Sequence, residues 1–368
     1  MKMSTAMPDA TPCLKPDATP DVTSDAAPCA PTATGAAGTG AAAPPPAGQA
    51  LLPLISVVVS ASGRAHLLER NIAALVHQSL ARGLYEIIIV DAFPNQHARH
   101  VVAAWRARTH ASGPAIAYLH GSGTQGRAAA HNLGWRSGRG TIIGFTDDDT
   151  VPSPDWLLNA LDAFDDHIDA LYGRIDHAGV HCAARATTLE FAAANCFCRK
   201  SVLAAVGGFD ERFRLAWRDD TDLQFRLAAI NARLTHAPHA SVTQPPRPAS
   251  WGARLMQADK IAFDALLYKK HPLMYRQKIR GAPRWDYYAT AAALLLALLG
   301  LAAGNRALAL AGAAAWASAL AVLCRRRLRG RSGSAALLAE AVVTAALLPP
   351  LAVFWRAAGA IRFRVWLA

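Results

Sequence analysis

Three consecutive carboxylates stand directly after a short apolar run near the middle of the chain. In the sequence IIGFTDDDT they are Asp147, Asp148 and Asp149. Like charges at this spacing repel one another, so the cluster is tolerable only in open solvent or around a neutralising cation. Side chains alternate along an extended chain, so Asp147 and Asp149 can point the same way. The triplet therefore predicts a cation site, with a solvated acidic turn as the alternative.

The residues on either side of the triplet argue against a solvent-exposed surface turn. Residues 142–145 are typical of a strand buried on both faces, the pattern of a parallel sheet. Ser153 followed by Pro154 predicts an N-cap and a first helical residue, with Asp155 in the first turn. The carboxylates are thus expected on a strand-to-helix loop at the carboxyl end of a strand, where ligands bind in open α/β sheets.

A second acidic group, Asp219, Asp220 and Asp222, precedes apolar residues at helical spacing. These carboxylates are therefore predicted in the first turn of a helix. Ordinary capping is one interpretation, because the helix dipole favours negative charge there. The other is catalysis, since the same position keeps a carboxylate ionised at neutral pH, as a general base requires.

Residues 51–284 alternate strand and helix patterns, which predicts an α/β domain whose parallel sheet is covered by helices on both faces. Candidate site residues follow three of the strands: Ser60 to Arg64, Asp91, and the aspartate triplet. Such loops meet at one edge of a parallel sheet, so these side chains are expected around one crevice. Asp91 alone could equally be a turn or capping residue. The predicted strands are 55–59, 87–90, 115–119 and 142–145, and the predicted helices are 71–80, 101–105, 127–135 and 201–206.

The two ends of the chain differ from this middle part. Residues 1–50 are rich in Ala, Pro, Thr and Gly, carry no apolar period and are predicted to be disordered. Three apolar segments follow the middle part, at 287–304, 307–324 and 335–355. Each is near the length of a transmembrane helix. The third contains Glu340 and the pair Pro349-Pro350, so it could bend and re-enter instead of crossing a bilayer.

The positive charge of the chain is concentrated near these apolar segments. The formal net charge is +12, and residues 285–368 hold nine Arg against two acidic residues. The run Arg325–Arg331 indicates a cytoplasmic loop under the positive-inside rule and would attract anionic lipids. This distribution points to a membrane and argues against nucleic acid as a partner. Residues 251–285 are basic and aromatic, typical of a helix at the membrane surface or of one packed on the preceding domain.

Four blocks of the sequence, in order, resemble the family 2 glycosyltransferases, inverting enzymes with the GT-A fold. The block ISVVVSASGR is similar to the first strand of the family, and LYEIIIVDAF is similar to the strand that follows it. The segment that leads into the metal-binding D-x-D motif is similar to GRAAAHNLGWRSGRGTIIGFTDDDTVPSPDWL. The acceptor loop and the acidic pair that supplies the base are similar to VGGFDERFRLAWRDDTDLQFRL. The resemblance covers about residues 54–250.

The resemblance implies roles for matching positions on the donor side. Asp91 would hold the nucleotide base, and Arg127 would face the donor diphosphate. Ser60, Arg64 and Asp148 would complete the nucleotide-sugar site. The expected donor is a UDP- or dTDP-linked sugar, because a carboxylate at Asp91 can accept the N3–H of uracil or thymine.

The resemblance also implies a metal and a base. Asp147 and Asp149 match the D-x-D motif, so Asp147 would face the donor and the metal, and Asp149 would be the direct ligand. The cofactor would be a divalent metal, Mg²⁺ or Mn²⁺, which neutralises the leaving nucleoside diphosphate. Asp220 matches the catalytic aspartate that deprotonates the acceptor hydroxyl, and Asp219 takes the place of the more usual glutamate.

Several positions depart from the family pattern. Ala92 stands in place of a second aspartate, and His131 in place of an arginine. Gln244 stands where many relatives place a metal-binding histidine, with His236 and His239 as possible substitutes. A Q-x-x-R-W motif is missing from the sequence, which argues against a processive polysaccharide synthase.

The sequence as a whole therefore predicts a membrane-anchored, metal-dependent, inverting glycosyltransferase. It would move a sugar from a nucleotide-sugar donor to a lipid or lipid-linked glycan acceptor at the cytoplasmic face of the inner membrane. A membrane adaptor that keeps the fold without turnover is the alternative. The expected organisation is a disordered segment 1–50, a catalytic domain 51–250, a basic amphipathic juxtamembrane segment 251–285, and a multi-pass membrane region 286–368 with two or three helices.

Overall fold

The computed structural model describes residues 52–92, 96–109, 112–121, 126–177, 191–245, 251–279, 282–329 and 334–366. The predicted disordered segment 1–50 lies outside these residues, as does the end of the arginine-rich run at 330–331. Within the described ranges, a mixed sheet covered by helices is followed by short helices and then by three long apolar helices.

The strands are β1 (Ile55–Ala61), β2 (Tyr85–Asp91), β3 (Ala115–His120), β4 (Ile142–Asp147), β5 (Val151–Pro152), β6 (Ala170–His177), β7 (Asn195–Arg199) and β8 (Leu234–Gln244). They form one sheet in the order β3-β2-β1-β4-β7-β6-β8-β5. The first four in this order are parallel, as the sequence predicts. Strand β7 is antiparallel to both β4 and β6, and β8 is parallel to β6. The sheet is therefore mixed, with its parallel half carrying the predicted site residues.

The parallel half brings the predicted strand-end residues to one edge. Every residue of β1, β2 and β4 is buried, because helices cover both faces of this part of the sheet. In the register, Ser60 lies beside Asp147 and Ala61 lies beside Asp91. The expectation that these strand ends share one edge is confirmed.

The helices of this domain are α1 (Ala65–Val76), α2 (Gln96–Thr109), α3 (Gly126–Ser137), α4 (Trp156–Asp162), α5 (Lys200–Val206) and α6 (Asp219–Ala229). The bounds predicted for the first helix, 71–80, are wrong at both ends. The helix ends at Val76 because the next residues bond to the segment between β5 and α4. The Gln78 amide donates to the Ser153 carbonyl at 2.8 Å, and the Ser79 N–H donates to the Pro154 carbonyl at 2.9 Å.

The predicted N-cap at Ser153 is also wrong. Helix α4 begins at Trp156, and the residue before it makes no side-chain cap. Ser153 stays extended because β5 pairs with β8 and the Ser153 N–H donates to the Ser241 carbonyl at 3.0 Å. By contrast, α5 ends as predicted at Gly207, which adopts the left-handed conformation with φ of 78°.

The segment after the sheet packs on the domain. Its elements are α7 (Ala253–Met256), a 3₁₀ turn (Ala258–Ile261), α8 (Ala262–Lys270), α9 (Pro272–Met274) and a π-helical turn (Tyr275–Ile279). Helix α8 is buried over residues 262–268, and its Phe263 and Leu267 share an apolar cluster with Phe213 and Phe225. Of the two interpretations open for this segment, α8 fits the helix packed on the preceding domain.

Three apolar helices follow, α10 (Trp285–Ala302), α11 (Arg306–Leu328) and α12 (Ala335–Phe363). By length and composition each could cross a membrane. Helix α12 continues through Pro349 and Pro350 without ending there. Near its start, Glu340 pairs with Arg327 at the end of α11, at 3.1 Å.

The far end of α12 lies against α8. A Cβ on Gly359 would lie 2.4 Å from the Ala262 carbonyl oxygen, so only glycine permits this approach. The ring of Phe363 lies 6.0 Å from that of Phe263, and the Lys269 ammonium donates to the Phe363 carbonyl at 2.8 Å. Both ends of α12 are thus fixed by contacts within the chain.

Candidate active site

The aspartate triplet lies where β4 ends. Asp147 is the last residue of β4 and accepts a hydrogen bond from the Ser60 hydroxyl of β1 at 3.0 Å. Asp148 and Asp149 form the turn that follows, and all three aspartates are buried. The alternative of a solvated acidic turn is therefore wrong, and the charge of the triplet must be compensated inside the protein.

Arg64 compensates two of the three carboxylates. Its terminal nitrogens lie 2.6 Å from Asp148 Oδ1 and 3.2 Å from Asp149 Oδ2. Ser62 holds Asp148 from the other side, because its backbone N–H and its hydroxyl both donate to Oδ2 at 2.8 Å. Asp148 thus fixes the loop after β1 on the aspartate turn, while 35% of the Arg64 side chain stays exposed.

Arg127 joins the triplet to the second acidic group. One terminal nitrogen lies 3.2 Å from Asp147 Oδ2, while Nε and the other terminal nitrogen contact both oxygens of Asp219 at 3.2 and 3.1 Å. Asp220 Oδ2 lies 4.0 Å away. Burial disfavours the charged guanidinium, but the carboxylates of Asp219 and Asp147 outweigh it and raise the pKa of Arg127. Two acidic groups far apart in sequence therefore form one site around a single cation.

The start of α3 places Arg127 in this position. Gly126 has φ of 80°, and a Cβ there would lie 2.1 Å from the Arg214 carbonyl oxygen, so the chain requires glycine at this point. One helical turn later, Asn132 holds the loop after α5. Its side chain donates to the Phe209 carbonyl and accepts from the Phe209 N–H, both at 2.8 Å. The same helix thus positions Arg127 and the loop that leads to the acidic pair.

The two aspartates at the start of α6 differ in exposure. Asp219 is completely buried and uses both oxygens on Arg127. Asp220 keeps 27% of its side chain exposed, and its Oδ1 accepts the Thr221 N–H at 2.7 Å. Burial and the neighbouring charge of Asp219 raise the pKa of Asp220 to about 6. Asp220 is therefore the member of the pair that can meet a substrate and take up a proton near neutral pH.

Asp222 faces basic side chains. Its carboxylate is fully buried and lies 2.8 Å from Arg226 Nε, 2.5 Å from Lys270 Nζ and 3.0 Å from His271 Nε2. Burial raises the pKa of Asp222, but the hydrogen bond from His271 and the charge of Arg226 outweigh it and lower the pKa. Asp222 thus ties α6 to α8.

Asp91 ends β2 at the same edge but has no exposed surface. The Tyr118 hydroxyl donates to Asp91 Oδ2 at 2.9 Å. Burial and this hydrogen bond raise the pKa of Tyr118 to about 12. The residues that follow Asp91, at 93–95, lie outside the described part of the chain. Contact between Asp91 and a nucleotide base stays a prediction.

Sequence reasoning missed Asn71 as a residue that shapes the site, and it noted His131 only as a departure from the family pattern. Asn71 is fully buried in α1, and its amide donates to the Asp147 and Thr150 carbonyls at 3.2 and 3.0 Å, which fixes the aspartate turn. An asparagine on the apolar face of an amphipathic helix is the signal that could have found it. His131 packs between Phe145 and Phe209, and burial followed by the charge of Arg127 lowers its pKa to about 4. It is therefore a neutral residue beneath the site.

Gln244 reaches the triplet from β8. Its Nε2 lies 3.3 Å from Asp149 Oδ1, and a rotation of the amide would present the oxygen instead. Of the two histidines considered as substitutes, His236 stacks on Tyr172 at 4.9 Å and His239 is exposed. Gln244 is thus the side chain that β8 places beside Asp149.

The donor set decides whether a divalent metal fits. Over the described ranges, no group of three or more His, Cys, Asp and Glu side chains is placed to hold a metal ion. The carboxylates of Asp147 and Asp149 and the amide oxygen of Gln244 are hard oxygen donors, the type that Mg²⁺ and Mn²⁺ take. Arg64 places a positive charge at Asp149 Oδ2, so this carboxylate already faces a cation. The donor types at the triplet are thus those of a divalent-metal site, while in this arrangement the two carboxylates pair with Arg64 and Arg127.

Comparison with known proteins agrees with the fold. Residues 56–225 match the family model Glycosyl transferase family 2. The pre-mycofactocin glycosyltransferase of Mycobacterium tuberculosis is 29% identical over 164 residues, which cover 38% of this chain and 34% of that protein. The match therefore spans about a third of the length of this curated relative.

A solved structure with a similar fold is the mannosyltransferase PcManGT from Pyrobaculum calidifontis, in complex with GDP-Man and Mn²⁺. It is 21% identical, covers 85% of this chain and 87% of its own, and superposes with a TM-score of 0.52. The mixed, mostly parallel sheet is GT-A-like, as the sequence resemblance implies. Residues 56–225 therefore match the family 2 glycosyltransferase model, and they lie within a GT-A-like fold.

Proposed function

We propose that this protein is a metal-dependent, inverting glycosyltransferase that moves a sugar from a nucleotide-sugar donor to a lipid or lipid-linked acceptor at the membrane. The contact of Arg127 with both acidic groups is the observation that carries the proposal, because it brings the predicted donor side within reach of the predicted base. The three apolar helices support a membrane location. We place the catalytic domain on the cytoplasmic face of the inner membrane.

The metal ligands and the two arginines have separate roles in the proposed reaction. Bound Mg²⁺ or Mn²⁺, held by Asp147, Asp149 and Gln244, would neutralise the leaving nucleoside diphosphate. Arg127 and Arg64 both place positive charge at the triplet, and a guanidinium is the side-chain group that suits phosphate oxygens. These guanidiniums are held at the donor side by carboxylates, so they need little reorganisation when the donor binds.

Asp220 would act on the acceptor. Its exposed carboxylate takes the proton from the acceptor hydroxyl as that oxygen bonds to the anomeric carbon. The bond from that carbon to the diphosphate oxygen breaks on the opposite face, which inverts the configuration. Asp219 is a positioning residue, because both of its oxygens bind Arg127.

A turnover screen tests this function. Detergent-solubilised full-length protein would be incubated with UDP-, dTDP- and GDP-linked sugars, with Mg²⁺ or Mn²⁺, and with or without a lipid extract. Release of nucleoside diphosphate that depends on lipid, and a sugar-bearing lipid by mass spectrometry, are expected. Nucleotide binding without turnover on any donor and acceptor would support the adaptor alternative, which the family match does not favour.

Replacement of Asp91 by alanine tests the nucleotide-base role. Asp91→Ala is expected to weaken UDP or dTDP binding by about 1–3 kcal/mol, because the base N3–H loses its acceptor. Isothermal titration of UDP, dTDP and GDP would measure it, with Asp162→Ala, an exposed aspartate at the end of α4, as control. If Asp91→Ala binds all three nucleotides as tightly as the wild type, the role is wrong.

Cysteine labelling tests the topology. The contact of the α12 end with α8 supports an arrangement in which residue 365 lies on the same side as the catalytic domain. A full third span would instead put Arg356 and Arg362 on the far side, against the positive-inside rule. With accessible native cysteines replaced by alanine, Val365→Cys should react with an impermeant maleimide from the domain side. Ala303→Cys, at the turn between α10 and α11, should react from the other side, and labelling of residue 365 from that side would contradict the arrangement.

A further inference from the structure

A cavity of about 260 Å³ is lined by Trp217 and Arg218, the two residues that precede the acidic pair in the chain. It is enclosed by the segment that precedes α6, by α8, by the start of α10 and by the middle of α12. The polar and aromatic side chains that line it include Trp217, Arg218, Asp264, Arg284, Tyr287 and Arg356. Because Trp217 and Arg218 immediately precede Asp219 and Asp220, the cavity lies next to the start of α6.

The cavity is rich in positive charge. Three arginines line it against one carboxylate, Asp264, which already accepts hydrogen bonds from Arg218 Nε at 2.8 Å and Trp217 Nε1 at 3.1 Å. Arg284 pairs with Asp286 at 2.7 Å. Arg356 is only 8% exposed, and its Nε has no hydrogen-bond partner among the described residues. A buried guanidinium with an unpaired N–H is costly, so the site favours an anion.

The backbone next to the base supports a ligand site. Arg218 has φ of 70°, a left-handed conformation that a residue with a side chain adopts at a cost. Such strain is concentrated at ligand sites, where surrounding contacts hold it. The Arg218 guanidinium is held in the cavity by Asp264, and the next residues are the acidic pair.

Another part of the cavity wall is apolar and comes from α12. Leu348, Ala352 and Val353 of α12 form this part of the wall. A second cavity of about 360 Å³ shares Arg284, Tyr287 and Leu348 with the first. It adds arginines at 254, 326 and 327 and one carboxylate, Asp286. The two cavities thus make a basic path with an apolar wall, which suits a molecule that has both an anionic group and a hydrocarbon tail.

We propose that the first cavity binds the phosphate of a lipid acceptor, with Arg356 as its main anchor. The acceptor would carry its phosphate between the hydrocarbon tail and the hydroxyl that Asp220 deprotonates. Arg356 would pair with the phosphate oxygens through its planar guanidinium. This assignment rests on the proposed function and deepens it, since it names an anionic, phosphate-bearing lipid as the acceptor class.

Binding of dodecyl phosphate by the full-length protein in neutral detergent tests the assignment. Isothermal titration should show binding for the wild type, and Arg356→Gln should weaken it at least about tenfold, because a charge-assisted pair is lost. Arg325→Gln removes the same charge from an exposed position on α11 outside both cavities, and it should change the affinity less than about twofold. If Arg356→Gln fails to fold, Arg356→Ala and Arg356→Lys take its place, with Lys expected to retain more binding than Ala.

Each further outcome bears on one part of the proposal. If Arg356→Gln and Arg325→Gln lose the same affinity for dodecyl phosphate, the loss reflects nonspecific charge, and the proposed site at Arg356 is wrong. If dodecanol binds as tightly as dodecyl phosphate, the phosphate is not what the cavity recognises. If inorganic phosphate binds as tightly, the hydrocarbon tail contributes nothing and the ligand need not be a lipid. Nucleotide binding is measured in parallel. If wild type and Arg356→Gln both bind nucleotide and dodecyl phosphate does not bind, the acceptor class alone is wrong, whereas loss of nucleotide binding in the wild type would count against the proposed function.

Discussion

The Asp220→Asn variant is expected to lose about 10²–10⁴-fold in turnover, the usual contribution of a general base. Asparagine keeps the size and the hydrogen bond to the Thr221 N–H but cannot accept the acceptor proton. Binding of nucleotide and metal should stay close to that of the wild type, because Arg127 uses Asp219 and Asp147 as its close partners. Steady-state kinetics together with nucleotide titration would measure both effects.

The pH profile of the wild type gives the same prediction an independent check. The pKa of Asp220 is raised to about 6 by burial and by the charge of Asp219, so the carboxylate base is present above that pH and is lost as the pH falls through it. The kcat/KM should therefore decline below about pH 6. Asp220→Asn should lack this decline at its low residual rate.

Asp219→Asn serves as the matched control for the base. It removes one partner of a buried ion pair, so it should destabilise the fold and weaken the placement of Arg127. If Asp220→Asn keeps near-normal turnover and a folded Asp219→Asn loses it, the general base is Asp219 and not Asp220. Loss of nucleotide binding in Asp220→Asn would make that residue a structural one.

The Asp149→Ala variant is expected to abolish turnover and metal-dependent nucleotide binding. It removes the carboxylate that lies between Arg64 and Gln244, and with it the proposed direct ligand of the metal. The fold should persist, since Asp148 keeps the Ser62 contacts that hold the loop after β1. Nucleotide titration with and without Mn²⁺, and thermal unfolding, would separate these effects.

Two comparisons make the metal prediction decisive. Asp162→Ala removes an exposed aspartate from α4 and should leave metal-dependent binding unchanged. A chelator in excess should reproduce the Asp149→Ala phenotype in the wild type. Full turnover in saturating chelator would show that the carboxylates act without a metal.

The structure shows where two residues that depart from the family pattern lie. Gln244 ends β8 beside Asp149, so the residue that replaces the expected histidine still offers an amide oxygen at the triplet. His131, in place of an arginine, lies among aromatic rings, and burial keeps it neutral. Neither change removes the carboxylates on which the proposed chemistry depends.

The sequence by itself determined the parallel half of the sheet and the edge where the site lies. Fully apolar strands such as β2 and β4 are local patterns, and parallel strands place their carboxyl ends at one edge. Asp147 and Asp91 could therefore be placed at that edge from their positions in the chain. The three apolar helices were likewise predicted from length and composition.

The tertiary structure alone decided how the site is assembled. The antiparallel pairing of β7 with β4, the bridge from Arg127 to Asp219 and the approach of Gln244 to Asp149 join residues that are far apart in sequence. Such contacts depend on packing and charge compensation in the folded chain, and no local pattern encodes them. The local pattern alone likewise leaves Asp219 and Asp220 equivalent, and only the family resemblance assigned the base to Asp220. In the folded chain the two carboxylates differ, because Asp219 is buried on Arg127 and Asp220 stays partly exposed.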